Sequence, residues 1–207
     1  MPRRTGSSQR WRQRQERDIY VDQANRDGWR SRAVFKLEQI HAKERLLSPG
    51  TVCVDLGAAP GSWSQLAARL VQPDGRVIAL DILPMEAIPG VEFLQGDFTS
   101  QETIDKLRAL VGPTRIDLVM SDMAPNLSGN RTTDQARTLA LLDEALLFAT
   151  EVLRPGGGFL CKAFQGEGID AFTRQLRSHF GTVKTIKPKA SRAESREIYL
   201  LARSFGM

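Results

Sequence analysis

The sequence predicts an α/β fold on a mostly parallel seven-stranded sheet with one antiparallel strand and helices on both faces. Three observations carry this. From Thr51 onward, strand-like and helix-like segments alternate, the pattern of a sheet built from crossover units. An apolar strand breaks at Gly57 into a turn that opens a helix at Ser62. The last two strand-like segments are joined by a short polar loop, which lets them pair antiparallel.

The elements follow in order. Ala33, Leu37 and Ile40 share one face of a helix over Ser31–Leu46, which Pro49-Gly50 ends. A strand is expected at Thr51–Leu56, a helix at Ser62–Leu70, strands at Arg76–Asp81 and Val91–Leu94, a helix at Ile104–Val111 and a strand at Ile116–Ser121. Leu139, Leu142, Leu146, Ala149 and Leu153 recur at intervals of three and four, so Thr133–Leu153 reads as a core-facing helix stopped by Pro155-Gly156-Gly157-Gly158. A strand at Phe159–Ala163, a helix at Ile169–Phe180 and strands at Thr182–Lys187 and Glu197–Ala202 complete the chain.

With 207 residues the chain can bury one core, so residues 18–207 are expected to form a single domain behind a basic, disordered tail at 1–17. No apolar run is long enough to span a bilayer, and the arginine-rich start lacks the hydrophobic stretch of a secretory signal. A soluble cytoplasmic protein, expected to be monomeric, follows. Cys53 and Cys161 lie in apolar strands and only two histidines are present, so buried thiols are expected and no metal. Charge is unevenly placed: residues 1–32 carry +5, residues 33–181 carry −4 and residues 182–207 carry +4. Basic ends around an acidic middle suit a polyanion held by the ends. Trp11 among Arg10, Arg12 and Arg14 could stack on unpaired bases, although the same segment also suits a solvated tail.

The segment Val54-Asp55-Leu56-Gly57-Ala58-Ala59-Pro60-Gly61-Ser62-Trp63 turns where small residues let backbone approach a ligand, at the strand ends where open α/β sheets bind nucleotides. Asp81 ends the second strand, where a carboxylate can accept ribose hydroxyls, and Asp97 follows the third, where it could receive an adenine amino group. Either acid alone could be a cap or turn residue. The turn does not match G-x-G-x-x-G and Pro60 removes an amide, which argues against a dinucleotide. Lys162 stands in an otherwise apolar strand, with Asp122 as its natural partner; a structural ion pair and a pair that reaches a cleft both fit.

Taken together, several stretches closely resemble the FtsJ/RrmJ family of ribosomal RNA 2'-O-ribose methyltransferases from about Trp11 to Ala202. They are Gly28-Trp29-Arg30-Ser31-Arg32-Ala33-Val34-Phe35-Lys36-Leu37, Asp55–Gly61, Phe93–Phe98, Ser121–Asn126, Phe164–Gly168 and Ser191–Glu197. Ser62 departs from the glycine expected between Gly61 and Trp63. The resemblance implies a Rossmann-like methyltransferase fold using S-adenosylmethionine, with S-adenosylhomocysteine as product. It implies a catalytic tetrad of Lys36, Asp122, Lys162 and Glu197, and cofactor contacts from Gly61, Trp63, Asp81, Asp97 and Asp122. It implies as substrate a uridine ribose of 23S ribosomal RNA on an assembled or assembling 50S subunit.

A 2'-hydroxyl is a poor nucleophile beside a strong methyl electrophile, so alignment and proton removal are the chemical tasks. Lys162 could act as a neutral base, its pKa lowered by Lys36, or as a cation that steers the hydroxyl. Arg30, Arg32, Lys187, Lys189, Arg192 and Arg196 suit phosphate contacts. Transfer RNA methylation and a non-catalytic RNA-binding assembly factor on the same fold are the competing readings.

Overall fold

The structure, a computed structural model, describes residues 19–125, 128–192 and 194–207. The tail expected at 1–17, Trp11 included, lies outside the described residues, as do Asn126 and Ala193 of two motifs. The helices are α1 (Ile19–Arg26), α2 (Val34–Glu44), α3 (Ser62–Val71), α4 (Gln101–Val111), α5 (Arg131–Val152) and α6 (Ile169–His179). The strands are β1 (Val52–Leu56), β2 (Arg76–Asp81), β3 (Val91–Gln95), β4 (Ile116–Ser121), β5 (Leu153–Phe164), β6 (Phe180–Ile186) and β7 (Glu197–Phe205).

The strands form one seven-stranded sheet in the order β3-β2-β1-β4-β5-β7-β6. The first five strands pair in parallel, and β7 runs antiparallel to both β5 and β6. The antiparallel pairing of the last two strands is as expected, and β7 is inserted between β5 and β6. Strand order reverses between β1 and β4, so the carboxyl ends of these two strands open the crevice in which doubly wound sheets bind ligands.

Alternation along the strands divides the core between two faces. Val54, Leu56, Val119 and Phe159 pack with Leu107 of α4, Leu142 and Phe148 of α5 and Phe172 of α6. Cys53, Met120, Leu160 and Leu201 face the other way, against Leu37 and Ile40 of α2 and Trp63 and Leu66 of α3. Both cysteines are buried free thiols, and burial raises their pKa values.

Where boundaries differ from expectation, the cause is local. α1 buries only Ala24, so it carries almost no periodic signal. α4 begins three residues before Ile104 because its first turn, Gln101-Glu102-Thr103, is polar. α5 begins at Arg131 because the Asn130 side chain accepts hydrogen bonds from the backbone N–H groups of Thr132 and Thr133, at 3.1 and 3.3 Å. β5 begins at Leu153, not Phe159. Leu153 pairs with Ile116 and Gly158 with Leu118, so a bulge absorbs the Pro-Gly-Gly run that reads as a break in sequence.

Candidate active site

Three strands and a helix bring the site together, the strands by parity. Leu118 and Met120 point toward α2 and α3, so Asp122, next in that series, emerges on the same face where β4 ends. On β5 the same alternation runs from Leu160 to Lys162, and on β7 from Leu201 through Tyr199 to Glu197. Because β7 is antiparallel, its first residues lie beside the last of β5, and Lys162 pairs with Tyr199 and Phe164 with Glu197. Lys36 enters from α2, whose Val34, Leu37 and Ile40 anchor it to this face.

The result is two ion pairs around one tyrosine. Lys162 Nζ lies 3.3 Å from Asp122 Oδ1 and also donates to the Asp122 backbone carbonyl. Lys36 Nζ lies 2.8 Å from Glu197 Oε1, which also accepts from Ser191 Oγ at 2.7 Å. All four charged side chains are between 9 and 17% exposed, so water screens them little. The Tyr199 hydroxyl donates to Asp122 Oδ1 at 2.8 Å, and Lys36 Nζ stands 5.9 Å from the centre of its ring. Burial, together with the Asp122 and Glu197 charges, pushes the Tyr199 pKa well up, which keeps it a donor. Tyr199 was not singled out in the sequence; the available signal was its spacing of two from Glu197 on one strand.

Beside this cluster, the β1–α3 turn forms a cradle. Gly57 and Gly61 have positive φ, and a Cβ at Gly57 would lie 2.9 Å from the Met123 backbone. A Cβ at Gly61 would lie 2.7 Å from both Met85 Sδ and Ile88 Cδ1. Asp81 accepts from the Ala59 and Leu83 amides, both at 2.8 Å, and the exposed Ile82 and Leu83 flank it. Asp97 accepts from the Thr99 amide and hydroxyl at 2.9 and 2.8 Å. The Trp63 indole is buried and donates to the Ala33 carbonyl at 2.8 Å, so only its backbone in the first turn of α3 remains for a ligand.

Beneath the turn, Asp55 is fully buried and accepts from Ser64 Oγ at 2.6 Å, while its Oδ1 has no hydrogen-bond partner among the described residues. Burial, reinforced by Asp122 and Asp81, pushes its pKa up to about 7. A buried carboxyl with an unused oxygen, glycines that admit close approach and Asp81 at the next strand end fit a cationic nucleoside such as S-adenosylmethionine.

Arg30, expected to contact phosphate, also has partners within the protein. Its guanidinium donates to the carbonyls of Pro60, Glu86 and Ala87 at 3.1, 2.7 and 2.9 Å, tying the glycine turn to the loop after β2. Arg30→Ala is therefore expected to raise the dissociation constant for S-adenosylmethionine about tenfold, the loss of roughly one charge-assisted bond's net contribution. Titration calorimetry on a variant with a near-native melting temperature checks this, and an unchanged affinity would show that the loop holds without the tether. Arg32 donates to the Ala190 carbonyl, and Lys187 and Arg196 to the carbonyls of Ser195 and Gln165. These contacts hold residues 187–192 and 194–196 beside Glu197.

The sheet order, the cradle at the β1–β4 switch and the lysine–carboxylate cluster define a methyltransferase that uses S-adenosylmethionine. The chain belongs to the FtsJ-like methyltransferase family, whose pattern it matches over residues 29–205. It is 54% identical to "Ribosomal RNA large subunit methyltransferase E" of Alkalilimnicola ehrlichii, over 99% of this chain and 98% of that one. A protein of the same name from Marinobacter nauticus is 51% identical over 98% of each chain. A crystal structure of a ribosomal RNA methyltransferase from Plasmodium falciparum superposes with a TM-score of 0.77 at 28% identity, covering 86% of this chain and 98% of that one.

Proposed function

We propose that this chain methylates the 2'-hydroxyl of a uridine ribose in 23S ribosomal RNA, on an assembled or assembling 50S subunit. The observation that carries this is the pair of lysine–carboxylate contacts gathered on Tyr199 beside the glycine cradle. The names of the relatives support the choice of ribosomal RNA over transfer RNA. In this reading residues 18–207 act as a single catalytic domain, monomeric and cytoplasmic, with the tail at 1–17 available to RNA.

S-adenosylmethionine supplies an electrophilic methyl group on a positively charged sulfur. Gly61, the Trp63 backbone, Asp81 and Asp97 would hold it along the strand ends, with Asp122 contributing from the end of β4. Lys162 directs the ribose hydroxyl, its Nζ fixed in place by the two oxygens of Asp122 that it meets. Glu197 orients Lys36, and Tyr199 orients Asp122. As the oxygen–methyl bond forms and the methyl–sulfur bond breaks, the hydroxyl proton would leave late, to solvent.

The test is transfer of labelled methyl to large subunits that lack the modification, with the product mapped to a ribose. A single modified 2'-hydroxyl is expected. Transfer to free transfer RNA and not to subunits would overturn the substrate, and no transfer by folded, cofactor-binding protein would favour a binding factor.

A further inference from the structure

The end of the sheet opposite the active site carries a basic concavity. Arg45, Arg154 and Arg203 line a cavity of about 510 Å³ at the amino ends of β1 and β4, with Asp117, Gly156 and Ser204. Asp117 is already committed: its Oδ2 accepts from the Val52 amide at 2.7 Å and its Oδ1 from Arg154. The nearby Glu44 carboxylate is paired with Lys184 at 2.9 Å, and its carbonyl accepts from Arg203. Arg45 has no side-chain hydrogen bond or ion pair among the described residues. Three guanidinium groups therefore share one lining carboxylate, whose oxygens are both occupied.

The backbone sets this cavity apart too. Among the described residues only two other than glycine have positive φ, Arg45 at 49° and Ser204 at 62°, and both line it. Arg45 follows the last turn of α2 in the left-handed position that glycine fills most easily. Strained backbone collected at one cavity marks a site whose side chains are worth holding there.

We propose that this cavity is a phosphate-binding site for the RNA backbone, remote from the target ribose. Arginine forks match phosphate oxygens bidentately, and a cavity of this size admits a phosphodiester with its flanking sugars. The five residues of β1 separate it from the cradle by about 17 Å, so a short target strand cannot occupy both and a folded RNA can. The proposal rests on the RNA-methylation reading for its ligand, while the site itself can be tested without RNA.

In the first arm, inorganic pyrophosphate is titrated into the full-length protein while backbone amide resonances are followed. Shifts at Gly50, Gly156 and Ser204 that vanish in Arg45→Gly are expected; Arg45→Gly relieves the left-handed backbone, so it should melt no lower than the wild type. In the second arm, Arg45→Gly and Arg45→Glu are expected to weaken binding of a long ribosomal RNA fragment about tenfold and to lower its salt slope by about one, with a short target hairpin bound as before. Absence of amide shifts overturns the site. Shifts without any effect on long-RNA binding overturn the RNA assignment in favour of a free phosphate compound. If the wild type binds no RNA, the substrate reading fails while the first arm still decides the site.

Discussion

Lys162→Ala is expected to lower the methyl-transfer rate constant by roughly 10³-fold, within the range by which one positioned proton-handling group contributes, with S-adenosylmethionine affinity nearly unchanged. The reason is the position of Lys162, whose Nζ is held by the carboxylate and the carbonyl of Asp122 at the mouth of the crevice. The cofactor cradle is made by other residues. Removing the lysine leaves Asp122 Oδ1 with the Tyr199 hydroxyl, so the variant should fold, and its melting curve is the control. Lys162→Arg separates the two chemical roles. If Lys162 steers as a cation, arginine retains transfer about 10- to 100-fold below wild type and far above the alanine variant. An arginine variant as inactive as alanine, together with a wild-type rate that rises log-linearly with pH to a break absent from the variant, would establish Lys162 as the base.

Stability should fall as pH rises from about 4 to 7, through the titration of Asp55. Its pKa is raised in the folded protein to about 7, from an ordinary value of 3.8. Between these values the folded state keeps a proton that the unfolded state has released. Stability is therefore full below the lower value, declines toward the upper one and is constant above it. The span amounts to on the order of 4 kcal/mol at 1.36 kcal/mol per pH unit. Glu92, whose pKa is lowered chiefly by its hydrogen bonds with Arg76, opposes this at low pH, so the comparison must be with Asp55→Asn. The variant should gain stability relative to wild type as pH rises across the window, measured by urea unfolding at several pH values. A constant difference between the two proteins would show that Asp55 is ionised throughout.

The elements were legible where a pattern repeats locally. Strands β1, β2 and β4 are apolar runs with punctuated ends, and α5 repeats leucine at three and four. The insertion of β7 between β5 and β6 was not legible, since strand neighbours are chosen by long-range packing that leaves no mark on either strand. The bulge in β5 was hidden because Pro155 and the glycines after it punctuate equally well at a break and at a bend. Lys36 and Glu197 came from family resemblance alone, being separated by 161 positions and joined only when α2 and β7 meet. The tether made by Arg30 was hidden for a related reason: an arginine among other arginines reads as a phosphate ligand, and the carbonyls of Pro60, Glu86 and Ala87 come around it only in the fold.

The late position of β7 also bears on how the protein is made. β7, an interior strand next to the sheet's edge, is translated after all six others, so until it emerges β5 lacks a neighbour on that side and β6 lacks its one pairing strand. Lys162 and Asp122 exist by then, but Tyr199 and Glu197, which organise them, have not been added. Synthesis thus yields a partly zipped sheet with an unpaired edge exposed to other chains, and catalytic competence arrives in one late closing step.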